Sequence, residues 1–462
     1  MNNAESTILS MNPQIWIGAM AASTVHINNA PRVRRRALTE QHPQTLVAAS
    51  EIERSLIAAF ADIFSFLQPK NVVASALSVD NRIDDKADPQ IRIHIASSSS
   101  VLDKNVEKFS QFWKQMAVIS GLHAEQKEVQ NAVTAWKHSI YEACLPGFLP
   151  LLYDRMEHIS DWYKRHLKWL EAHARSRPEM NLEAVHKIIS HLEQLQDLVR
   201  NQQTDSRKIS QIIVEPMEEI VRQMDALQKD GSDLGSIEGA VILWSPAEGR
   251  PLFHGVEDIS ALAVHVLFLE EFVKSKRMAQ LSKHRFYIEC RPVGKPSPEV
   301  HSPPWPTASE WDNLCCRIHK DDPDKRIWRP DPKCAPQFDH LQQSLHVHPE
   351  LQLASMLAEL CQKTAANEVT SFGGAVPYNY IAVSQYSCRG CEFWVDQYNF
   401  TNVKNPISIA GINGRWPNDW CLPSFRHEFL EQRLATAAKD KFLAFQYGMG
   451  NSIYKDEEDD DE

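Results

Sequence analysis

Two short stretches of the chain combine residue types that bind metals with one that moves protons. They are His348-Pro349-Glu350 and Cys388-Arg389-Gly390-Cys391. One imidazole and two thiolates are typical zinc ligands, and three protein ligands leave a fourth position for water. Zinc lowers the pKa of that water to about 7, and a nearby carboxylate can accept its proton. The pattern predicts a Zn²⁺ site with His348, Cys388 and Cys391 as metal ligands and Glu350 as the catalytic acid and base.

The His-x-Glu pattern is uninformative by itself, because it occurs three times in this sequence. It begins at His123, at His191 and at His348, and about one occurrence is expected from composition. A Cys-x-x-Cys pair is much rarer by chance in a chain with nine cysteines, and this chain has one. Only His348 lies within one domain length of that pair, whereas the other two histidines lie far upstream in helical patterns. The pattern at His348 is therefore the candidate for chemistry.

Both candidate stretches lie where a helix is predicted to begin. Pro349 is favoured in the first turn of a helix, where its missing N–H costs no hydrogen bond. Apolar residues then recur at helical spacing, at Leu353, Met356, Leu357 and Leu360. Cys388 follows a predicted strand, Tyr380–Ser384, and precedes a predicted helix. Because a helix N-terminus favours the thiolate over the thiol, this position suits a metal-binding cysteine.

These stretches, with the strand between them, resemble the cytidine deaminase-like superfamily. The sequence is most similar to the branch of predicted nucleic-acid or nucleotide deaminases seen in bacterial toxins and in long fungal proteins. The resemblance implies a zinc-dependent hydrolase that removes ammonia from a cytosine- or adenine-type base, free or in nucleic acid. It also implies His348, Cys388 and Cys391 as ligands, Glu350 as proton carrier, and a mixed sheet flanked by helices.

The resemblance is good over residues 340–425 and does not explain residues 1–230. The stretch 411–423 is similar to a Trp- and Pro-containing segment that this branch places after its cysteine helix. Two positions depart from the family pattern. Ser387 stands where many members have Pro, and Asn413 stands where this branch often has His. Neither departure removes a ligand or the proton carrier, and both bear on the substrate pocket.

Composition and periodicity divide the chain into four parts. They are an irregular N-terminal segment (1–45), a mainly helical domain (46–230), a deaminase-like α/β domain (240–446) and an acidic disordered tail (447–462). Alternating polarity predicts a strand at Gln90–Ala96 in the helical domain, and further strands at Ala240–Trp244 and Arg285–Val293. The predicted fold class is α/β, with a three-layer, deaminase-like mixed sheet flanked by helices in the C-terminal half and a mainly helical N-terminal domain before it.

Bulk composition excludes several classes of protein. The net charge is −11, and the last eight residues, with seven acids and one Lys, supply −6 of it, so strong non-specific nucleic-acid binding is not predicted. No apolar stretch approaches the roughly 20 residues of a membrane span, and no signal-peptide pattern is seen. Nine cysteines, an odd number, fit a reducing compartment. We expect an intracellular protein, cytoplasmic or nuclear, that has no membrane partner.

Other interpretations of the cysteine pair stay open at the level of sequence. The thiols could be ordinary buried cysteines, a redox pair, or part of a structural zinc site closed by a fourth ligand such as His346, Cys361 or Cys421. A zinc ribbon is disfavoured because there is no second Cys-x-x-Cys. Under the non-catalytic interpretations the protein would be an interaction scaffold on a deaminase-like fold, and its helical N-terminal domain would bind a protein partner.

Three tryptophans lie near the candidate site in sequence. They are Trp394, Trp416 and Trp420. Such rings can stack on a nucleobase, and they also commonly form part of a core. The sequence is compatible with either role.

Overall fold

The computed structural model describes most of the chain. The described residues are 12–23, 46–80, 89–122, 126–176, 181–201, 206–229, 251–293, 306–321, 338, 345–365, 375–385, 387–410, 416, 419–423, 425 and 427–458. They are mostly helical, with a mixed sheet of six strands. The chain divides into two compact units: unit 1 is Met1–Ala48, Ala96–Ser98 and Arg291–Glu462, and unit 2 is Ala49–Ile95 and Ser99–Cys290. The candidate site lies in unit 1.

The helices and strands are numbered in chain order. The helices are α1 (Pro13–Ser23), α2 (Glu51–Leu67), α3 (Asp103–Ser120), α4 (Gln126–Ser176), α5 (Leu182–Asn201), α6 (Ser206–Lys229), α7 (Pro251–Val273), α8 (Lys276–Leu281), α9 (Ala308–Asp321), α10 (Pro349–Ala365), α11 (Arg389–Thr401) and α12 (Glu428–Glu458). The strands are β1 (Val73–Val79), β2 (Gln90–Ser97), β3 (Arg285–Cys290), β4 (Val376–Pro377), β5 (Tyr380–Val383) and β6 (Ser408–Ile409). Across the described ranges, none of the helices has both the length and the apolar character that a bilayer crossing requires.

Unit 2 is held together by long amphipathic helices. Helix α4 packs against α7, and α5 packs against α6. Strand β2 runs parallel to β3, with Ile93 opposite Ile288. Close packing requires glycine at position 147 of α4. A Cβ there would lie 2.3 Å from the carbonyl oxygen of Phe66 in α2. Glycine is therefore the residue that lets these two helices approach.

Unit 1 places two helices beside short parallel strands. Helix α10 packs against β5 and α11, and α11 packs against β6 and α12. Strand β5 runs parallel to β6, with Tyr380 opposite Ser408. Helix α1 packs against α12, where Trp16, Trp311 and Phe442 form a buried aromatic cluster with ring centroids 5.3–5.9 Å apart. The N-termini of α10 and α11 carry the candidate site.

The predicted fold class is confirmed. Strands predicted at Gln90–Ala96, Arg285–Val293 and Tyr380–Ser384 correspond to β2, β3 and β5. Helices begin at Pro349 and directly after Cys388, as their spacing and cap residues predicted. The strand predicted at Ala240–Trp244 lies outside the described residues.

Two sequence expectations are corrected by the structure. Residues 1–45 were expected to be irregular, but Pro13–Ser23 forms α1, whose apolar residues are buried in unit 1. The tail from 447 was expected to be disordered, but α12 continues to Glu458.

Candidate metal centre

His348 lies at the N-terminal end of α10. Its carbonyl oxygen accepts hydrogen bonds from the N–H groups of Leu351 and Gln352, both at 3.0 Å. The bond from Gln352 is the first i to i−4 bond of the helix, and the bond from Leu351 satisfies a first-turn N–H that would otherwise have no partner. Pro349 follows as the first helical residue and has no N–H to satisfy. The cap geometry therefore fixes the backbone that carries the imidazole.

A second constraint comes from the extended segment before this helix. His346 forms a parallel bridge with Trp420. The His346 N–H donates to the carbonyl of Asp419 at 2.8 Å, and the Cys421 N–H donates to the carbonyl of His346 at 3.1 Å. The chain that enters α10 is thus tied to residues 419–421.

The two cysteines lie at the N-terminus of α11. Cys388 is the N-cap residue, and its Sγ accepts a hydrogen bond from the N–H of Cys391 at 3.4 Å. The Sγ of Cys391 accepts from the indole N–H of Trp420 at 3.3 Å. A Cβ on Gly390 would lie 3.1 Å from atoms of that indole ring, so glycine allows Trp420 to approach the sulfur. Both thiols are buried.

Side chains from the two helix ends converge. One potential ligand atom from each of His348, Glu350, Cys388 and Cys391 lies within 4.8 Å of all the others. Nδ1 of His348 is 3.4 Å from Sγ of Cys388 and 4.0 Å from Oε1 of Glu350. Within the described part of the chain this is the one such group of His, Cys, Asp and Glu side chains. The four residues predicted for the site are thus in contact distance, and their chemical roles stay predictions.

Glu350 is almost wholly buried, with 2% of its surface exposed. Its Oε1 accepts a hydrogen bond from the hydroxyl of Ser387 at 3.0 Å. Its Oε2 has no hydrogen-bond partner among the residues that the structure describes. A buried carboxylate oxygen without a partner is costly. The site therefore provides an acceptor that a water or a ligand in the cluster would satisfy.

Asp419 contacts two histidines, one inside the cluster and one outside it. Its Oδ1 is 3.3 Å from Nε2 of His348, and its Oδ2 is 3.3 Å from Nε2 of His346. The hydrogen bond to His348 holds the pKa of the Asp419 carboxyl below its usual value, so the group is a carboxylate. The sequence analysis did not single out Asp419, although it lies in the segment 411–423 that is similar to the family.

The ionisations of the cluster are linked. Burial would lower the pKa of His348, but the Cys388 thiolate and the Asp419 carboxylate raise it to about 11. Burial would raise the pKa of Cys388, but the Cys391 thiol and the positive charge on His348 lower it. Burial and the neighbouring Cys388 charge raise the pKa of Cys391. These shifts favour a thiolate on Cys388 beside a protonated His348, and a metal bound at these atoms would displace protons.

The residues considered as a fourth ligand of a closed zinc site have other partners. The ring of His346 contacts Asp419, and the Cys421 thiol donates to the carbonyl of Leu422 at 3.3 Å. Cys361 is buried in α10, and burial raises the pKa of its thiol to about 11. The fourth member of the cluster is instead Glu350. The described cluster therefore does not include His346, Cys361 or Cys421.

The remaining residues named from the sequence are not members of the four-residue cluster, although the indole of Trp420 contacts it. His191 is in α5 and belongs to no such cluster within the described ranges, and His123 lies outside the described residues, as does Asn413. Trp394 and Trp420 are each 1% exposed and belong to the core. Trp416 is half-buried, with its ring 5.8 Å from that of Phe393.

Comparison with protein families identifies the part of the chain that carries this cluster. Residues 347–424 match a family model described as OTT_1508-like deaminase. This segment is deaminase-like. The match begins one residue before His348 and includes all four residues of the cluster together with Asp419. The predicted resemblance to the cytidine deaminase-like superfamily is thereby confirmed. Comparisons with curated proteins and with solved structures gave no significant match.

Proposed function

We propose that the deaminase-like segment is a zinc-dependent hydrolytic deaminase of a cytosine- or adenine-type base, in a nucleotide or in nucleic acid. The observation that carries the proposal is the buried, unpartnered Oε2 of Glu350 in the same cluster as one imidazole and two thiols. The cluster thus contains the groups that a metal-assisted proton transfer needs. The deaminase-like match over residues 347–424 gives the reaction class.

The residues present fit a zinc ion. His348, Cys388 and Cys391 would hold it, because one nitrogen and two sulfur donors are typical of catalytic zinc sites with three protein ligands. The hydrogen bond from Trp420 to Cys391 and the contact of Asp419 with His348 are the kind of outer interactions that orient such ligands. When bound there, zinc would supply Lewis acidity that lowers the pKa of water to about 7.

The chain's own residues account for the proton transfers. Glu350 is held at Oε1 by Ser387 and has Oε2 free to accept a proton from water. The protonated carboxyl gives this proton to a ring nitrogen of the base while the hydroxide adds to the amidine carbon. Glu350 then takes a second proton, from the hydroxyl of this adduct, and gives it to the amine. The C–N bond breaks, ammonia leaves and the carbon keeps a carbonyl oxygen. Because Glu350 is buried, these protons exchange with the substrate more readily than with bulk water.

The substrate class rests on the family resemblance. Deaminases of this superfamily act on the amidine carbon of a nucleobase, C4 of cytosine or C6 of adenine. The acidic balance of the chain does not favour a long polyanionic substrate. A free nucleoside or nucleotide, and a short single strand, are therefore the first compounds to test.

Replacing Glu350 by Gln tests the assignment of the proton carrier. The variant keeps the side-chain size and the contact with Ser387 but cannot accept a proton, so ammonia release should fall by at least about 100-fold while zinc stays bound. The measurement is ammonia released from a panel of cytosine and adenine compounds, with zinc per chain determined by elemental analysis.

Glu359→Gln is the matched control, because it makes the same change further along α10 and away from the cluster. Its turnover should equal that of the wild type. Purified wild-type protein that holds no zinc would refute the proposal. Zinc-loaded protein with no turnover across the whole panel would instead favour a non-catalytic scaffold on a deaminase-like fold, and a search for a protein partner of the helical region 46–230.

A further inference from the structure

The extended segment before α10 presents two histidines on one side. His346 and His348 are two residues apart, and alternate residues of extended chain point to the same face. Both rings reach the same carboxylate, Asp419, through Nε2 at 3.3 Å. By sequence alone, either histidine could bind a metal.

The carboxylate distinguishes the two nitrogens of His348. A carboxylate only accepts hydrogen bonds, so the proton on the His348 ring that faces Asp419 is on Nε2. Nδ1 is then the nitrogen that faces Cys388, at 3.4 Å. The ring is thus oriented with one nitrogen towards the cluster and the other anchored outside it.

Asp419 is itself held in place by its backbone. Its carbonyl accepts the N–H of His346 at 2.8 Å, and the residue next to it, Trp420, donates its indole N–H to Cys391. Adjacent residues of one loop therefore contact two different predicted ligands. Such a loop would set the positions of both.

We propose that Asp419 is a positioning residue that orients His348 for zinc, with His346 as an outer partner of Asp419 and not a metal ligand. This inference rests on the proposed function. The two histidines thus have different roles. His348 lies against the Cys388 sulfur and would bind the metal, whereas His346 contacts Asp419. The His346 side chain is half exposed, and among the described residues it contacts the carboxylate of Asp419.

Metal affinity tests the proposal without knowledge of the substrate. The full chain is stripped of metal and titrated with Zn²⁺ against a chromophoric chelator. Asp419→Ala should weaken Zn²⁺ binding about 10- to 100-fold, as is typical when the outer partner of a ligating histidine is lost. Asp419→Asn should lose less, because its side-chain carbonyl oxygen can accept the same N–H. Asp440→Ala removes an exposed acid of unit 1 and should bind as the wild type does.

Cobalt absorption separates the two histidines. The Co²⁺-loaded His346→Ala protein should keep the wild-type spectrum and lose less affinity than His348→Ala, whose spectrum should change because a nitrogen ligand is gone. A His346→Ala protein that matches His348→Ala in both affinity and spectrum would overturn the proposal. So would an Asp419→Ala protein with Zn²⁺ affinity within about threefold of the wild type. Circular dichroism checks that each variant is folded. If Asp419→Ala does not fold, the Zn²⁺ affinity of Asp419→Asn is compared with that of the wild type instead.

Failure of this proposal is distinguishable from failure of the proposed function. Wild-type protein that binds zinc and releases ammonia, while Asp419→Ala keeps full affinity, overturns the role of Asp419 alone. Wild-type protein without zinc overturns both.

Discussion

Ser387 departs from the deaminase-like family pattern, and it lies directly before Cys388 of the cluster. The family pattern that this segment resembles often has proline at this position, and proline has no group that could donate to a carboxylate. In this structure the Ser387 hydroxyl is wholly buried and donates to Oε1 of Glu350 at 3.0 Å. One oxygen of Glu350 is thereby fixed, and under the proposed function the other would accept the proton.

Replacing Ser387 by Ala should impair turnover and leave zinc binding intact. The variant removes the donor that holds Oε1, so Glu350 samples other rotamers and carries protons less effectively. We expect kcat to fall about tenfold, in line with a hydrogen bond to a charged group worth about 1.5 kcal/mol or more. Zinc per chain should be unchanged, because Ser387 is not in the metal-ligand cluster.

Ser387→Thr is the matched control, since it keeps the hydroxyl and should retain most of the turnover. If Ser387→Ala turned over as fast as the wild type, the hydroxyl would have no role in positioning Glu350. Loss of zinc in Ser387→Ala would show that the residue supports the metal site instead.

At the scale of helices and strands, local signals predicted the site and non-local contacts completed it. Pro349 is favoured in the first turn of a helix, and Cys388 lies between a predicted strand and a predicted helix, so the sequence was enough to place both helix starts. Asp419 and His346 meet through a bridge between segments some 70 residues apart, which leaves no periodic pattern to recognise. The sequence therefore predicted the four-residue cluster but not the carboxylate that orients it.

The three strands of unit 2 carry a separate polar contact. Nδ1 of His94 in β2 is 3.1 Å from Oε2 of Glu289 in β3, and Nε2 of His94 is 2.9 Å from the Ser78 hydroxyl in β1. Arg92 also pairs with Glu289. The hydrogen bond from His94, together with Arg92, lowers the pKa of Glu289 to about 2.

This pKa shift predicts a pH-dependent contribution to stability. A carboxyl whose pKa is lower in the folded state stabilises the fold above its unfolded pKa of about 4.5, and the stabilisation is lost as the pH falls towards 2. Glu289→Gln should therefore reduce the free energy of unfolding at pH 7, by about 1 kcal/mol once the partial exposure of Glu289 is allowed for. Urea unfolding at pH 7 and pH 3 measures the difference, which should be clearly smaller at pH 3.

Glu142→Gln, an exposed change in the same unit, should show no such dependence on pH. An effect of Glu289→Gln that is equal at both pH values would mean that side-chain packing, and not the ion pairs, accounts for its stability.

At the scale of the molecule, unit 1 joins the two ends of the chain. The side-chain amide of Gln14 in α1 donates to the carbonyl of Trp420 at 2.7 Å and accepts from the N–H of Leu422 at 3.2 Å. The first of these contacts spans 406 residues. Residues 12–23, which the sequence assigned to an irregular segment, thus support the loop that carries Asp419. No local pattern could have predicted this, because the partners of Gln14 are set by the tertiary fold.

Metal removal should therefore loosen one part of unit 1 and spare unit 2. A bound ion would cross-link His348 at the start of α10 to Cys388 and Cys391 at the start of α11, and binding to the native state stabilises the regions it links. Hydrogen exchange followed by mass spectrometry measures this with and without a chelator. Chelation should speed amide exchange in the first turns of α10 and α11, while α5 and α6 stay protected as before.

The Glu350→Gln variant separates this effect from catalysis. It should bind metal and show the same chelator-dependent exchange, although its turnover is lost. If chelation left amide exchange in α10 and α11 unchanged, no ion would link these helices. Other contacts between their N-termini, such as the hydrogen bond between Ser387 and Glu350, are not removed by a chelator. Chelation that loosened both units equally would point instead to global unfolding. The local response is thus what a metal centre built from two helix ends requires.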